Sequence, residues 1–222
     1  MMVYFTSDPH LGHANIARFR SYVKDTDDNT RIFLEDYESV VRKNDIVYFL
    51  GDVAFNDESL EHLRGLKGRK ILIKGNHDNL VSTQKQAEVF DEIHGMLKYK
   101  GFWLTHCPIH PLEMRGKKGN IHGHVHSKTI PDDAYLNVCC DNLKSIVGHS
   151  LISLDHVREI FKARETCAQR VESFANNSTS IAIWISKRKS QKVFQKLLLK
   201  WEIWWGIPCR PLLHHFGIKW KI

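Results

Sequence analysis

Aspartate, asparagine and histidine recur in five short clusters along this chain of 222 residues: Asp8-Pro9-His10, Gly51-Asp52, Gly75-Asn76-His77-Asp78, His106 and Gly123-His124-Val125-His126. Carboxylate and amide oxygens combined with imidazole nitrogens form a donor set suited to Mn, Fe or Zn. Calcium prefers an all-oxygen shell, and Cu(I) prefers sulfur. A carboxylate can also bridge two cations, and two cations ~3.5 to 4 Å apart can clamp the attacking and leaving oxygens of an in-line displacement. Singly, each cluster reads as ordinary turn and cap chemistry, because Asp, Asn and His are common at strand ends. Together and in order they point to a metal site.

The elements that must position these clusters are β-rich runs. Val3-Tyr4-Phe5-Thr6, Ile46-Val47-Tyr48-Phe49-Leu50, Lys70-Ile71-Leu72-Ile73-Lys74 and Phe102-Trp103-Leu104-Thr105 read as strands, and Gly119-Asn120-Ile121-His122 is a fifth extended stretch. Each runs directly into one of the clusters. Phe33, Tyr37, Val40 and Val41 recur at helical spacing between strands, as do Leu60, Leu63 and Leu66 after an expected N-cap at Asp57. The pattern is α/β. Nearly continuous apolar strands predict sheets covered on both faces, since a half-exposed strand would alternate. In open α/β sheets ligand sites gather at the carboxyl ends of the strands, so five separated segments are expected to converge there. Glycines before Asp52, Asn76 and His124 permit the sharp turns this requires.

Composition excludes several other classes. Hydrophobic residues at 42% and charged residues at 26% describe an ordinary folded chain rather than a collagenous or wholly disordered one. No stretch stays apolar for the ~18 to 20 residues of a membrane span, and a strand-like start at Met2 leads to the expectation of a cytoplasmic protein. The five cysteines, Cys107, Cys139, Cys140, Cys167 and Cys209, form no CxxC pair, which predicts reduced, mostly buried thiols rather than a disulfide framework. Charge is uneven: residues 1–163 sum to −1 and residues 164–222 to +8, and the latter also hold five of the six tryptophans. We therefore expect a domain over 1–163 and a basic, Trp-rich C-terminal extension over 164–222.

In their order, the five clusters resemble the DxH, GD, GNH[DE], lone His and GHxH motifs of the calcineurin-like metallophosphoesterase superfamily. The resemblance runs from residue 2 to about 163. Ser7-Asp8-Pro9-His10-Leu11-Gly12-His13 and Leu136-Asn137-Val138-Cys139-Cys140-Asp141 have the look of small bacterial and phage members. It implies an α/β four-layer sandwich of two facing mixed β-sheets flanked by helices. It also implies two divalent metal ions, manganese first and Fe, Zn or Ni next. One would be held by Asp8, His10 and His126 and the other by Asn76, His106 and His124, with Asp52 bridging both. His77 is implied to stabilise or protonate the leaving oxygen, with Asp78 orienting it. The implied activity is hydrolysis of a phosphomonoester or phosphodiester by direct attack of metal-bound hydroxide.

Departures and alternatives accompany this reading. Phe55 stands where many larger members carry a second Asp, three residues after the bridging one. His13, His110 and His122 lie near the motifs and could contact phosphate or orient ligands; Arg115, Lys117 and Lys118 could meet an incoming phosphate. Each also reads as surface or satisfied core. Ser186-Lys187-Arg188-Lys189 followed by Val193, Phe194, Leu197, Leu198 and Trp201 is spaced like a basic amphipathic helix. It would give a nuclease of this fold a way to hold DNA or RNA. A non-catalytic binding scaffold is a third alternative, although retention of His77 favours an enzyme.

Overall fold

The computed structural model describes residues 1–177, and the expected basic helix over 186–201 lies outside them. The chain divides into two compact units, Met1–Phe161 and Lys162–Ile222, and the nine strands among the described residues lie in the first. Five strands form one sheet in the order β4-β3-β2-β1-β9: Val3–Thr6 (β1), Ile46–Phe49 (β2), Arg69–Ile73 (β3), Glu92–His94 (β4) and Ile152–Ser153 (β9). β1 to β4 pair in parallel, and β9 joins β1 antiparallel. Four strands form a second mixed sheet in sequence order: Met96–Tyr99 (β5), Phe102–Thr105 (β6), Gly119–His122 (β7) and Tyr135–Asn137 (β8). Only the β5–β6 pair there is antiparallel.

Parallel strands added one after another in a single direction require crossovers of one hand, so the intervening helices must share a face. The helices Thr26–Val40 (α1), Asp57–Glu61 (α2) and Thr83–Val89 (α3) do so. Phe33 and Tyr37 from α1, Leu60 from α2 and Val89 from α3 bury against Val47, Phe49 and Leu72 on the outer side of the five-stranded sheet. α1 starts where the Asp25 side chain accepts from the Asp28 amide, and Asp27 and Asp28 in its first turn favour the positive end of the helix dipole. It stops at Val41, whose backbone is extended. The N-cap of α2 is Asn56, one residue before the expected Asp57, and only Leu60 of the Leu60, Leu63, Leu66 series lies within the helix.

The opposite side of that sheet faces the second one. Phe5, Tyr48, Leu50, Ile71 and Ile73 meet Phe102, Leu104, Ile121 and Leu136, joined by Leu143 of Cys140–Val147 (α4) and by Val157 and Phe161 of Leu154–Asn177 (α5). The outer side of the second sheet differs from expectation. Its alternate residues Thr105, Asn120, His122 and Asn137 are buried and polar, with Trp103 and Tyr135 beside them on the same face. Loop segments supply hydrogen bonds instead: Asn120 Oδ1 accepts from the Ile109 amide at 3.0 Å, Tyr135 Oη donates to Ile109 O at 2.6 Å and Trp103 Nε1 donates to Glu113 O at 2.9 Å. Among the described residues no helix is long and apolar enough to cross a membrane.

Leu104 lies between the sheets with no exposed surface, whereas Leu112 is almost wholly exposed. Leu104→Ala is expected to cost ~2 to 5 kcal/mol in urea unfolding, and Leu112→Ala less than ~0.5 kcal/mol.

Candidate metal centre

Five of the parallel strands deliver the site from their carboxyl ends. Asp8 and His10 follow β1, Asp52 follows β2, Asn76 and His77 follow β3, His106 follows β6, and His124 and His126 follow β7. The five-stranded sheet thus supplies the carboxylates and the other sheet three imidazoles. The ligand atoms of Asp8, His10 and His126 lie within 4.8 Å of one another, as do those of Asp8, Asp52 and His106. His106 Nε2 is 3.0 Å from Asn76 Oδ1, 3.2 Å from His124 Nδ1 and 3.3 Å from Asp52 Oδ2. Asp52 Oδ2 is also 3.8 Å from His10 Nε2, so this one oxygen stands between the two ligand groups.

The backbone is bent to achieve this. Asp8, His10, Asp52, His124 and His126 all have positive φ, between 52° and 72°. Such conformations cost roughly 1–3 kcal/mol each and persist only where the surroundings over-determine them. The loops after β1 and β2 bind each other through Asp8 N to Gly51 O (3.0 Å), His10 N to Asp52 O (3.2 Å) and Leu11 N to Val53 O (2.9 Å). Gly51 has φ of +92°, and a Cβ there would stand 2.5 Å from His106 Nδ1 and 2.7 Å from the Gly75 backbone, so only glycine fits.

Two buried charged side chains complete the clamp, and neither was anticipated in that role. Asp78 was expected to orient His77. Its carboxylate instead accepts from three backbone amides, those of Asp52 (2.9 Å), Val53 (2.8 Å) and Gly75 (2.7 Å), and so holds the turn that presents Asp52. Burial, then partly offset by those amides, raises the Asp78 pKa. Arg20 spends its guanidinium on the other loop. It donates to Asp8 O, to Pro9 O and Asn29 Oδ1 through Nη1, and to both oxygens of Asp141. Asp141 Oδ2 in turn accepts from His126 Nδ1 at 3.1 Å, which leaves Nε2 of that ring for a ligand. His106 is set similarly, donating Nδ1–H to Leu50 O at 2.7 Å.

The donor set passes a test of fit for divalent cations. Asp8 Oδ2 receives the His124 amide (2.9 Å) and the Cys139 thiol (3.0 Å), with Ser7 Oγ 2.6 Å away. Ser7 lies equally close to Leu50 O, and its single proton serves one acceptor at a time. Asp8 Oδ1 and His10 Nε2, by contrast, are buried and without any hydrogen-bond partner, 3.5 Å apart. Buried polar atoms are normally satisfied, so two facing orphans of this chemistry are the pair a candidate cation site would leave. The electrostatics agree. Burial alone would raise the Asp8 and Asp52 pKa values, but His10 and His106 hold Asp8, and His106 holds Asp52, below the ordinary carboxylate range. Burial, reinforced by the Asp8 charge, pushes the Cys139 thiol well up, so it stays protonated and donates.

The remaining candidates separate clearly. His77 stands at the rim, half-exposed, with Nε2 4.0 Å from Asp52 Oδ2 and its ring stacked on Phe55 at 5.1 Å. His13 lies 4.7 Å from Phe55, ring centroid to ring centroid. His122 is fully buried with Nδ1 against Gly123 O, His110 caps the turn Pro111–Glu113, and Arg115 pairs with Glu113. Cys139 and Cys140 are buried free thiols, and Cys107 is an exposed one.

An α/β protein of two mixed sheets, with an Asp/His cluster where parallel strands of both sheets end, is the class that this geometry defines. No family model matches the chain. The Gene 66 protein of Mycobacterium phage L5 is 35% identical over 162 residues, which take in 57% of this chain and 78% of the phage protein. That of phage D29 is 28% identical over 195 residues, and an uncharacterized protein of Methanocaldococcus jannaschii is 26% identical over 170, spanning 94% and 91% of those proteins. A crystal structure of a protein of unknown function from Aquifex aeolicus matches with a TM-score of 0.57 and 26% identity, over 72% of this chain and 98% of that one. The chain belongs to the family of the phage L5 Gene 66 protein.

Asp141→Asn is expected to lower the affinity for Mn²⁺ by 10- to 100-fold, measured by calorimetric titration, because an amide no longer sets the His126 tautomer as firmly. Burial would raise the Asp141 pKa, but His126 and Arg20 hold it down. A depressed folded-state pKa adds stability above the unfolded value of ~3.9, lost as pH falls through the folded one. Acidification from about pH 5 to about pH 3 should therefore lower the urea midpoint of the wild type more than that of Asp141→Asn.

Proposed function

We propose that this protein is a dinuclear-metal-dependent phosphoesterase hydrolysing a phosphomonoester or a phosphodiester. The observation that carries this reading is the facing pair of buried, unpartnered atoms Asp8 Oδ1 and His10 Nε2, with Asp52 Oδ2 leading on to the second ligand group. Asp8, His10 and His126 would hold one cation and Asn76, His106 and His124 the other, with Asp52 shared. Oxygen and imidazole donors favour manganese, with Fe, Zn or Ni as further candidates. Divalent ions bound there supply Lewis acidity, which neutralises phosphoryl charge and provides a nucleophile near neutral pH.

The chain's own groups supply the rest. His77, half-exposed with Nε2 4.0 Å from Asp52 Oδ2, would deliver a proton to the departing oxygen. Phe55 fixes the plane of that ring by stacking, in the place where larger members of the resembled superfamily carry an acid. Asp78 and Arg20 keep the Asp52 and Asp8 loops in their left-handed turns, so ligand directions are set before any cation arrives. A cytoplasmic setting belongs to the same proposal, supported by the free thiols Cys107, Cys139 and Cys140.

The test pairs metal analysis with a leaving-group series. Protein purified without chelator should carry two equivalents of metal per chain. With that content unchanged, His77→Ala should slow hydrolysis of a phosphodiester with an alkyl leaving group by ~10²- to 10⁴-fold, and that of a p-nitrophenyl ester far less, since p-nitrophenolate departs without a proton. Equal losses on both esters would remove His77 as the proton donor.

A further inference from the structure

A row of aromatic rings leads outward from the cation ligands. His10 lies 5.2 Å from Phe55, Phe55 lies 4.7 Å from His13, and His13 meets Phe19 edge-on at 5.9 Å and 88°. The row ends on Phe19, which is 74% exposed. Its neighbours explain why it cannot withdraw. Ile16 and Arg20 on either side are buried, Arg20 is tied to Asp8, Pro9, Asn29 and Asp141, and the Phe19 amide is bonded to Ile16 O at 2.9 Å. Leaving a phenyl ring in water forgoes the stabilisation that its burial would bring. The segment that clamps the Asp8 loop thus also holds an apolar ring beside the site.

Resting on the phosphoesterase reading, we infer that the Phe55–His13–Phe19 row is a base-stacking subsite and that the substrate is a nucleobase-bearing phosphate ester. Two features on opposite ends of one ligand are matched. The cation ligands select a phosphoryl group. The Phe19 ring at the exposed end of the row offers a π-face, with which a purine or pyrimidine stacks whatever its pattern of donors and acceptors. A sugar phosphate without a base would satisfy the first and leave Phe19 in water.

The decisive comparison uses two esters that share a ribose 5-phosphate, adenosine 5′-monophosphate and ribose 5-phosphate itself, on the full chain loaded with Mn²⁺. Kd is read by calorimetry, or KM where the ester is turned over. The nucleotide is expected to bind roughly 5- to 150-fold more tightly, the range of one stacked base. Phe19→Ala should bring the two within about two-fold while leaving ribose 5-phosphate unchanged, and Phe19→Tyr should keep the preference. Equal binding of both esters by the wild type, or a preference that survives in Phe19→Ala, overturns the subsite and leaves the phosphoesterase reading standing. Failure of both esters to bind overturns both readings.

Discussion

Two carboxylates of like charge, Asp8 and Asp52, are buried within 4.8 Å of each other at the junction of the sheets. Placing that charge away from water is expensive unless opposite dipoles and charges stand around it. The His124 and His77 amides, the Cys139 thiol and the rings of His10 and His106 provide this, and they come from both sheets. Neither sheet can supply the full set alone, so the packing of the interior and the assembly of the site are one requirement. A bound cation would add to the same balance, stabilising the folded chain in proportion to its affinity.

Long runs and ordered motifs were legible in the sequence for a physical reason. β1, β2, β3, β6 and β7 are apolar or extended stretches whose carboxyl ends must share an edge, so residues after them meet without any knowledge of side-chain packing. β4, β8 and β9 are two or three residues long, and β5 mixes Lys98 with Met96 and Leu97, so periodicity had too little to act on. The polar outer side of the second sheet left a signal that the apolar run Phe102–Leu104 masked. Asn120 and His122 alternate with Gly119 and Ile121 at the period of a strand with unlike faces.

Arg20 and Asp78 show where local reading stops. An arginine in a loop without apolar periodicity resembles a surface residue, and nothing near it in sequence hints that its partners include residues 8, 9 and 141. Asp78 sits next to His77, which suggests a pair, yet the chain turns between them and the carboxylate closes onto amides 25 and 26 residues earlier. Both side chains act on backbone groups. Backbone groups carry no residue-specific pattern, so such contacts leave no motif.

The crowding at Gly51 reaches further than one turn. There the His106 ring and the Gly75 main chain approach so closely that not even a methyl group can be admitted. His106 arrives from one sheet and Gly75 from the other, so this point of contact acts as a dowel. Sliding one sheet over the other by a fraction of a residue spacing would drive atoms into overlap. Divergence among relatives can therefore lengthen or decorate the outer loops freely, while the relative seating of the two layers stays locked.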